Sequence, residues 1–401
     1  MIGPGPLPPG ADHALSNPLE ARLGELAGFP SMRALRRSAL FDEVLSTLAR
    51  LTMGFDYRTG VARPRPTRGY LRAVAWNLER GKGYDAIRGL LESDPVLREA
   101  DLLLLTELDV GMARSGNRHI ARELASALGM DHVFANHYVV LSPGDRSERA
   151  HAWPTGASLH GSALLSRFPI THASAVPLPD RRDKYAATER RIGGKSALRV
   201  VVEAPDGPLP IVVLHLDPFA SPRFRARQMR TVLEALDPAE RCLVGGDFNT
   251  NTDDVSGPLG IVLTFARKLA FGVQPTIREY LTPDRVFERR LFGWLREHGF
   301  DLDGFNDRAR ATYYYDIGDE AVMTNIRDQL PRPVMAWMER QLAPWNYCVP
   351  LKIDWFATRG IHALPGHLPG TSAAALTLER PTFDGERASD HNPIVCDLAL
   401  G

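Results

Sequence analysis

The sequence predicts an α/β fold in which β-sheets pack face to face and helices cover them. Three observations lead there. Short apolar runs recur, as strands buried on both faces require. Helical spacing fills several intervals between them, and other intervals are only hairpin-length. The strand runs are Arg72 to Trp76, Leu102 to Leu105, Ser162 to Leu165, Leu198 to Val202, Ile211 to Leu216, Cys242 to Gly246, Ile353 to Ala357 and Ile394 to Leu398.

In chain order, residues 1 to about 17 are rich in Gly and Pro and are expected to be unstructured. From Pro18 to Leu51, apolar residues fall at helical spacing (Leu19, Leu23, Leu26, then Leu35, Leu40, Val44, Leu48, Leu51), which predicts two amphipathic helices. A Pro/Arg-rich link, Val61 to Arg68, closes this extension of residues 1–68. The main domain then runs over 69–401. Within it, Asn117 to Leu128 predicts a helix stopped by Gly129, and Ser221-Pro222 opens another. Between Asn249 and Asp354 no strand is apparent. A helical insertion is expected over about 252–345, on the spacing of Leu263, Phe265, Leu269 and Phe271 and of Val286, Phe287, Leu291, Leu295 and Phe300. An aromatic cluster, Tyr313 to Tyr315, followed by Trp337, Trp345 and Tyr347, suits a lid or substrate wall as well as plain packing.

Composition narrows the class. Of 401 residues, 44% are hydrophobic and 24% charged, which excludes a disordered chain. Lys plus Arg equals Asp plus Glu at 48 each, so bulk charge does not attract nucleic acid, although a local basic groove is compatible. Cys242, Cys348 and Cys396 form neither a disulfide framework nor a zinc module and fit a reducing, cytoplasmic compartment. No apolar run reaches the ~18 residues of a membrane span, and the first residues lack a secretory signal.

Function is read from the polar residues that interrupt the apolar runs. Asn77 ends RAVAWN, Glu107 ends LLLLTE, His215 sits in VVLHLD, Asp247 and Asn249 end LVGGDFN, Asp354 lies in KIDWF, and Asp390-His391 precede NPIVCDL. A core strand gains nothing from such residues, so their clustering marks a site. The types suit metal-assisted attack of water on a phosphate ester. Glu107, with Asn77 and Asp390, supplies hard oxygen ligands for magnesium or manganese. Asp247 suits the base and Asn249 orients it. Asp354 would fix the tautomer of His391, and His215 is a second imidazole for the leaving oxygen.

The strings AWNLERG, LLTELD, HGSALLSRFPI, VVLHLD, GGDFNTN, KIDWF and SDHNPI, spanning roughly 70 to 400, resemble the endonuclease/exonuclease/phosphatase superfamily. The resemblance implies a four-layer αβ sandwich with two central mixed β-sheets, a magnesium or manganese cofactor, Glu107 as metal carboxylate, and Asn77, Asp247, Asn249, Asp390 and His391 around the site. Thr106 stands where the family commonly has Gln, and His160 falls where deoxyribonuclease relatives have a Glu supporting the equivalent of His215. The family often contacts phosphate with a cation from the segment after LLSRFPI, which makes Arg191 and Lys195 substrate-binding candidates. Arg114 and His160 join them, and Asn77 serves substrate as well as metal.

His119, His132, His137 and His151 show no zinc-ligand spacing and are expected to lie mostly at the surface. The expected activity is a divalent-metal phosphoester hydrolase, more specifically a phosphodiesterase. A nuclease, a phospholipid or small-metabolite phosphoesterase, and a non-catalytic binder of the same fold stay open at this stage. No protein partner is deducible.

Overall fold

The computed structural model describes residues 1–62, 68–153, 156–250, 272–316 and 347–399, with a few single positions between them. Two mixed sheets stack face to face. The larger runs, in spatial order, Ala375–Thr377, Ile394–Ala399, Tyr70–Arg80, Leu102–Val110, Leu159–Ser166, Asp131–Val140, Phe55–Arg58 and Asp12–His13, with Arg191–Gly193 also pairing on Asp131–Val140. The smaller runs Ile2–Pro6, Ile170–Pro177, Ser196–Ala204, Gly207–His215, Cys242–Asp247 and Asp354–Arg359. Each contains one parallel pair, Tyr70–Arg80 with Leu102–Val110 and Gly207–His215 with Cys242–Asp247.

Strand alternation sorts the side chains into layers. Ala73, Ala75, Leu102 and Leu104 meet Ile211, Val213 and Leu243 between the sheets. The intervening Val74, Trp76, Leu103 and Leu105 face outward onto a helical layer. That layer includes Tyr84–Ser93, Ile120–Leu128 and Ala39–Thr52, through Ile87, Leu124 and Leu48. Beyond the smaller sheet, Val212, Leu214 and Val244 pack on Pro222–Leu233 and Arg289–Glu297, through Met229, Val232, Leu291 and Leu295. The order is helices, sheet, sheet, helices: the expected four-layer αβ sandwich. All eight expected strand runs are strands. Gly129 ends its helix at φ 62° with its N–H on Ala125.

The first residues depart from expectation. Ile2–Pro6 adds to Ile170–Pro177, and Asp12–His13 to Phe55–Arg58. Both are edge strands, bonded on one side only, where Pro and Gly are tolerated. The helical spacing of 18–51 resolves into Leu23–Ala27, Met32–Leu35 and Ala39–Thr52. This extension is bonded to the core: Tyr185 Oη donates to the carbonyls of Leu26 (2.6 Å) and Phe29 (3.1 Å), and Asn17 Nδ2 to that of Ala157 (2.7 Å). Part of the link, 63–67, lies outside the described residues.

The interval between Asn249 and Asp354 also holds a strand pair that the sequence reading missed, Tyr313–Asp316 with Cys348–Leu351. The Tyr313–Tyr315 cluster is one of these strands. Helices occupy Val273–Leu281 and Arg289–Glu297. Leu263, Phe265, Leu269, Phe271, Trp337 and Trp345 lie outside the described residues. No helix among the described residues is long and apolar enough to cross a membrane.

A buried ion pair locks the last strand to the core. Arg72 Nε and Nη2 hold both oxygens of Asp397 at 2.7 and 2.8 Å, directly opposite in register. Replacing one partner strands the other charge in the interior. Asp397→Ala is therefore expected to lower unfolding free energy by about 3–5 kcal/mol in urea titration. A loss under 1 kcal/mol would show that Arg72 finds water or another partner.

Candidate active site

In the smaller sheet Asp247 stands opposite His215 on one side and Asp354 on the other. Directly opposed residues share a face, so these three form one row across adjacent strand ends. The close approach of the first two strands depends on Gly246, at φ 132°, where a Cβ would meet the Leu214 carbonyl at 2.2 Å. Asn249, at φ 51°, folds back after the strand, and its N–H and Nδ2 donate to Asp247 at 2.8 and 3.0 Å.

The larger sheet completes the site. Asn77 Nδ2 crosses from it to Asp247 Oδ2 at 3.1 Å. His391, just before Ile394–Ala399, places Nδ1 2.9 Å from Asp354 Oδ2. The carboxylate can only accept, so Nδ1 carries the proton and Nε2 is left for the cleft. Trp76 Nε1 donates to the His391 carbonyl at 2.9 Å, and Ser389 Oγ to that of Asn77 at 2.7 Å, which fix this turn.

Glu107 is raised from its strand by two adjoining irregularities. Regular pairing skips from Leu105 to Leu108 on one side and from Asn77 to Arg80 on the other. Glu107 sits there at φ 54°, a left-handed conformation that a non-glycine residue adopts only when its surroundings impose it. Its Oε1 is 3.7 Å from His215 Nε2, which is 3.5 Å from Asp247 Oδ2. Glu107, Asp247 and His391 thus belong to one cleft.

Charge in the cleft is divided. Burial opposes ionisation of Glu107, but Arg80, His160, Lys195 and His391 outweigh it and hold the carboxyl at about 2. Burial and the neighbouring Asp354 push Asp247 up to about 7. Burial, Glu79 and Glu107 push Asp390 up to about 6. Burial works against the His391 cation, yet Asp354, Asp390 and Asp247 raise its proton affinity well above normal. His215 shifts the other way: burial, with the neighbouring Lys195, holds its proton affinity well below normal, and neither ring nitrogen finds a hydrogen-bond partner among the described residues. Lys195 Nζ donates to the Leu216 carbonyl at 2.7 Å, the same oxygen that Asn249 Nδ2 reaches at 3.0 Å. Burial lowers its amine to about 7.

Two cation arrangements are conceivable. Ligand atoms of Asp247, Asp354 and His391 lie within 4.8 Å of one another. There, however, His391 Nδ1 is already committed to Asp354. Glu107 and Asp390 offer carboxylate oxygens, the donors that magnesium or manganese prefers, and Asn77 an amide oxygen that also accepts from the Glu79 N–H at 3.0 Å. Burial and the carboxylates of Glu79 and Glu107 raise Asp390, and a cation there would offset both, so this set fits the ion.

The remaining expected residues divide. Arg114 is not a free phosphate ligand. Its guanidinium is wholly buried, with Asp109 held at 2.7 and 2.9 Å, Glu189 at 2.7 Å and Glu148 at 3.0 Å. His160 Nδ1 is also bonded to Asp109, at 2.8 Å. Both build the wall behind Glu107. Arg191 pairs with Glu189 at 3.2 Å and lies over Tyr138, half-buried. Arg80, Asp109, Glu148 and Glu189 were missed as site residues, although Arg80 and Asp109 lie in the strings AWNLERG and LLTELD. Thr106 Oγ1 finds no hydrogen-bond partner among the described residues. Of the four histidines expected at the surface, His132 and His137 are buried. His132 is bonded to Asp56 at 2.9 Å, and His137 neighbours His160 and Lys195.

The model of the Endonuclease/Exonuclease/phosphatase family matches residues 74–316, more than half of the chain. The chain belongs to this family. It is accordingly a hydrolase of phosphoric ester bonds. Asp354, Asp390 and His391 lie beyond the matched span and reach the site through the two sheets. Similar solved structures include an endonuclease/exonuclease/phosphatase from Beutenbergia cavernae DSM 12333 (17% identity, 83% of this chain and 72% of that one, TM-score 0.49). A family protein from Leptotrichia buccalis C-1013-b (10%, 81% and 98%, 0.45) and a 3'-5' exonuclease from Neisseria meningitidis (15%, 81% and 98%, 0.42) are also similar. No curated protein matches the chain.

The two readings of Arg114 separate experimentally. Arg114→Met removes a buried cation shared by three carboxylates, leaving Asp109 without a guanidinium while Glu148 keeps Arg80 and Glu189 keeps Arg191, and is expected to cost about 3–5 kcal/mol in denaturant unfolding. Unchanged stability with a raised KM would instead make Arg114 a substrate ligand.

Proposed function

We propose that the chain is a divalent-cation-dependent phosphodiesterase that attacks phosphorus in line with an activated water. The observation that carries this reading is the unbroken series from Glu107 through His215 and Asp247 to Asp354 and His391, with each neighbour within 3.7 Å or opposite in register. Glu107, Asn77 and Asp390 would hold magnesium or manganese. Bound there, the ion neutralises phosphate charge and orients the ester.

The chain's own residues account for the proton movements. Asp247 is the base: three hydrogen bonds from Asn77 and Asn249 aim its carboxylate, and near neutral pH it can both accept and release a proton. His391 enters protonated, so Nε2 can clamp a non-bridging oxygen and donate a proton to the leaving oxygen. The sequence leaves this acid role open between two imidazoles. The neutral state of His215 favours His391 for it and gives His215 the orientation of water or ester oxygen. Lys195, beside Asn249, supplies a further donor to the phosphoryl group, and Arg191 a cation at the rim. Nucleic acid, phospholipid and phosphorylated metabolite share the required ester.

Hydrolysis of bis(4-nitrophenyl) phosphate tests the assignment. Turnover is expected with magnesium or manganese and lost with chelator. Asp247→Asn and His391→Ala should each lower kcat by at least ~100-fold without unfolding the protein, and Glu107→Gln should weaken the response to metal. Near-normal rates in either of the first two variants would remove that residue from the mechanism. Because Asp247 acts deprotonated, turnover should rise as pH increases through about 7 and then level. A rate falling over that interval would contradict its role as base.

A further inference from the structure

A solvent-facing rim follows directly from the catalytic row. Phe219 lies four residues past His215, so its Cα is at most ~14 Å from that of the histidine. It is 49% exposed, one of few large apolar side chains so open among the described residues. The loop that carries it is fixed. Asp217 Oδ1 accepts from the Phe219 N–H at 2.9 Å, and buried Gln228 receives the Asp217 N–H at 3.1 Å. Gln228 Nε2 also donates to the Pro179 carbonyl at 2.9 Å, which ties in the adjoining loop with Arg181 and Arg182. The Arg182 guanidinium covers one face of the Phe219 ring, 4.5 Å from its centre, and Arg181 lies 5.6 Å from the Phe224 ring.

Arg223 and Arg227 are exposed on the helix that follows, one turn apart and so on one face. Arg181, Arg182, Arg223 and Arg227 have no carboxylate partner among the described residues, while most of the arginines around the cleft are paired. Four arginines on the loop and helix that flank this fixed aromatic ring, with the exposed Asp180 and Asp183 beside Arg181 and Arg182 alone, match the chemistry of a strand that alternates anionic phosphates with flat bases. A membrane would call for several exposed apolar side chains, and Phe219 is the one large exposed apolar side chain in this patch among the described residues.

Resting on the phosphodiesterase reading, we propose that this rim is the platform on which single-stranded nucleic acid enters the site. An unpaired base stacks on the open face of Phe219, and flanking phosphates lie on Arg181, Arg182, Arg223 and Arg227. Zero net charge does not oppose this, because the basic surface is local.

The test is binding of a fluorescein-labelled ten-nucleotide oligothymidylate to the full chain in EDTA, which prevents hydrolysis. Base stacking is worth about 1–3 kcal/mol, so Phe219→Leu should weaken binding by ~5-fold or more, and Phe219→Tyr, which keeps a ring, should restore it. Arg181→Gln, Arg223→Gln and Arg227→Gln together should flatten the dependence of log Kd on log salt by ~0.7 per arginine. Thermal unfolding midpoints check that each variant is folded. Equal binding by wild type and Phe219→Leu overturns the proposal, as does sedimentation with phosphatidylserine vesicles that needs Phe219 in a protein that ignores the oligonucleotide. Wild-type turnover of bis(4-nitrophenyl) phosphate separates the two levels: its presence with no oligonucleotide effect sinks the platform alone, and its absence sinks the phosphodiesterase reading too.

Discussion

The site depends on strand register. Asp247 faces both His215 and Asp354 because three neighbouring strands are held in one alignment, with Gly246 allowing the closest approach. A slip of one residue in either ladder would turn a member of the row to the opposite side of the sheet. The aliphatic residues of the same strands oppose that slip, since they are buried on both faces and would all have to exchange layers. Packing free energy thus positions the polar groups, and the larger sheet adds Asn77 and His391 from the other side.

The second constraint is charge balance in a buried place. A half-buried carboxylate such as Glu107 stays ionised through compensating cations. Arg80 stands beside it and is itself held at 2.8 Å by Glu148. Arg114 gathers Asp109, Glu148 and Glu189 behind the same wall. The wall extends to the N-terminal segment: Arg190 donates to the carbonyls of Ala27 and Phe29, and Tyr185 to those of Leu26 and Phe29, on either side of Glu189. The extension is therefore continuous with the scaffold of the candidate cleft.

Sequence patterning revealed the parts whose physics is local. Central strands needed apolar runs, helix ends were marked by Gly129 and Ser221-Pro222, and Asp247, Asp354 and His391 interrupted strands at their ends. Asp131–Val140 escaped notice, although it is buried throughout, because His132, Asn136 and His137 break its apolar character. The partners of His132 and Asn136, Asp56 and the Leu51 carbonyl, are supplied by distant residues. Ile2–Pro6 was hidden for the opposite reason: an edge strand needs neither apolar character nor a full set of N–H donors. Arg114 looked like a phosphate ligand because its three carboxylates are spread from Asp109 to Glu189.

In the proposed mechanism Glu107, Asn77 and Asp390 would hold the cation, while the compact group of Asp247, Asp354 and His391 would move protons. Anomalous diffraction from crystals grown with manganese tests this most directly. The account predicts a peak at the Glu107 carboxylate, with the His391–Asp354 hydrogen bond intact. A peak centred between Asp247, Asp354 and His391, with that bond broken, would contradict it.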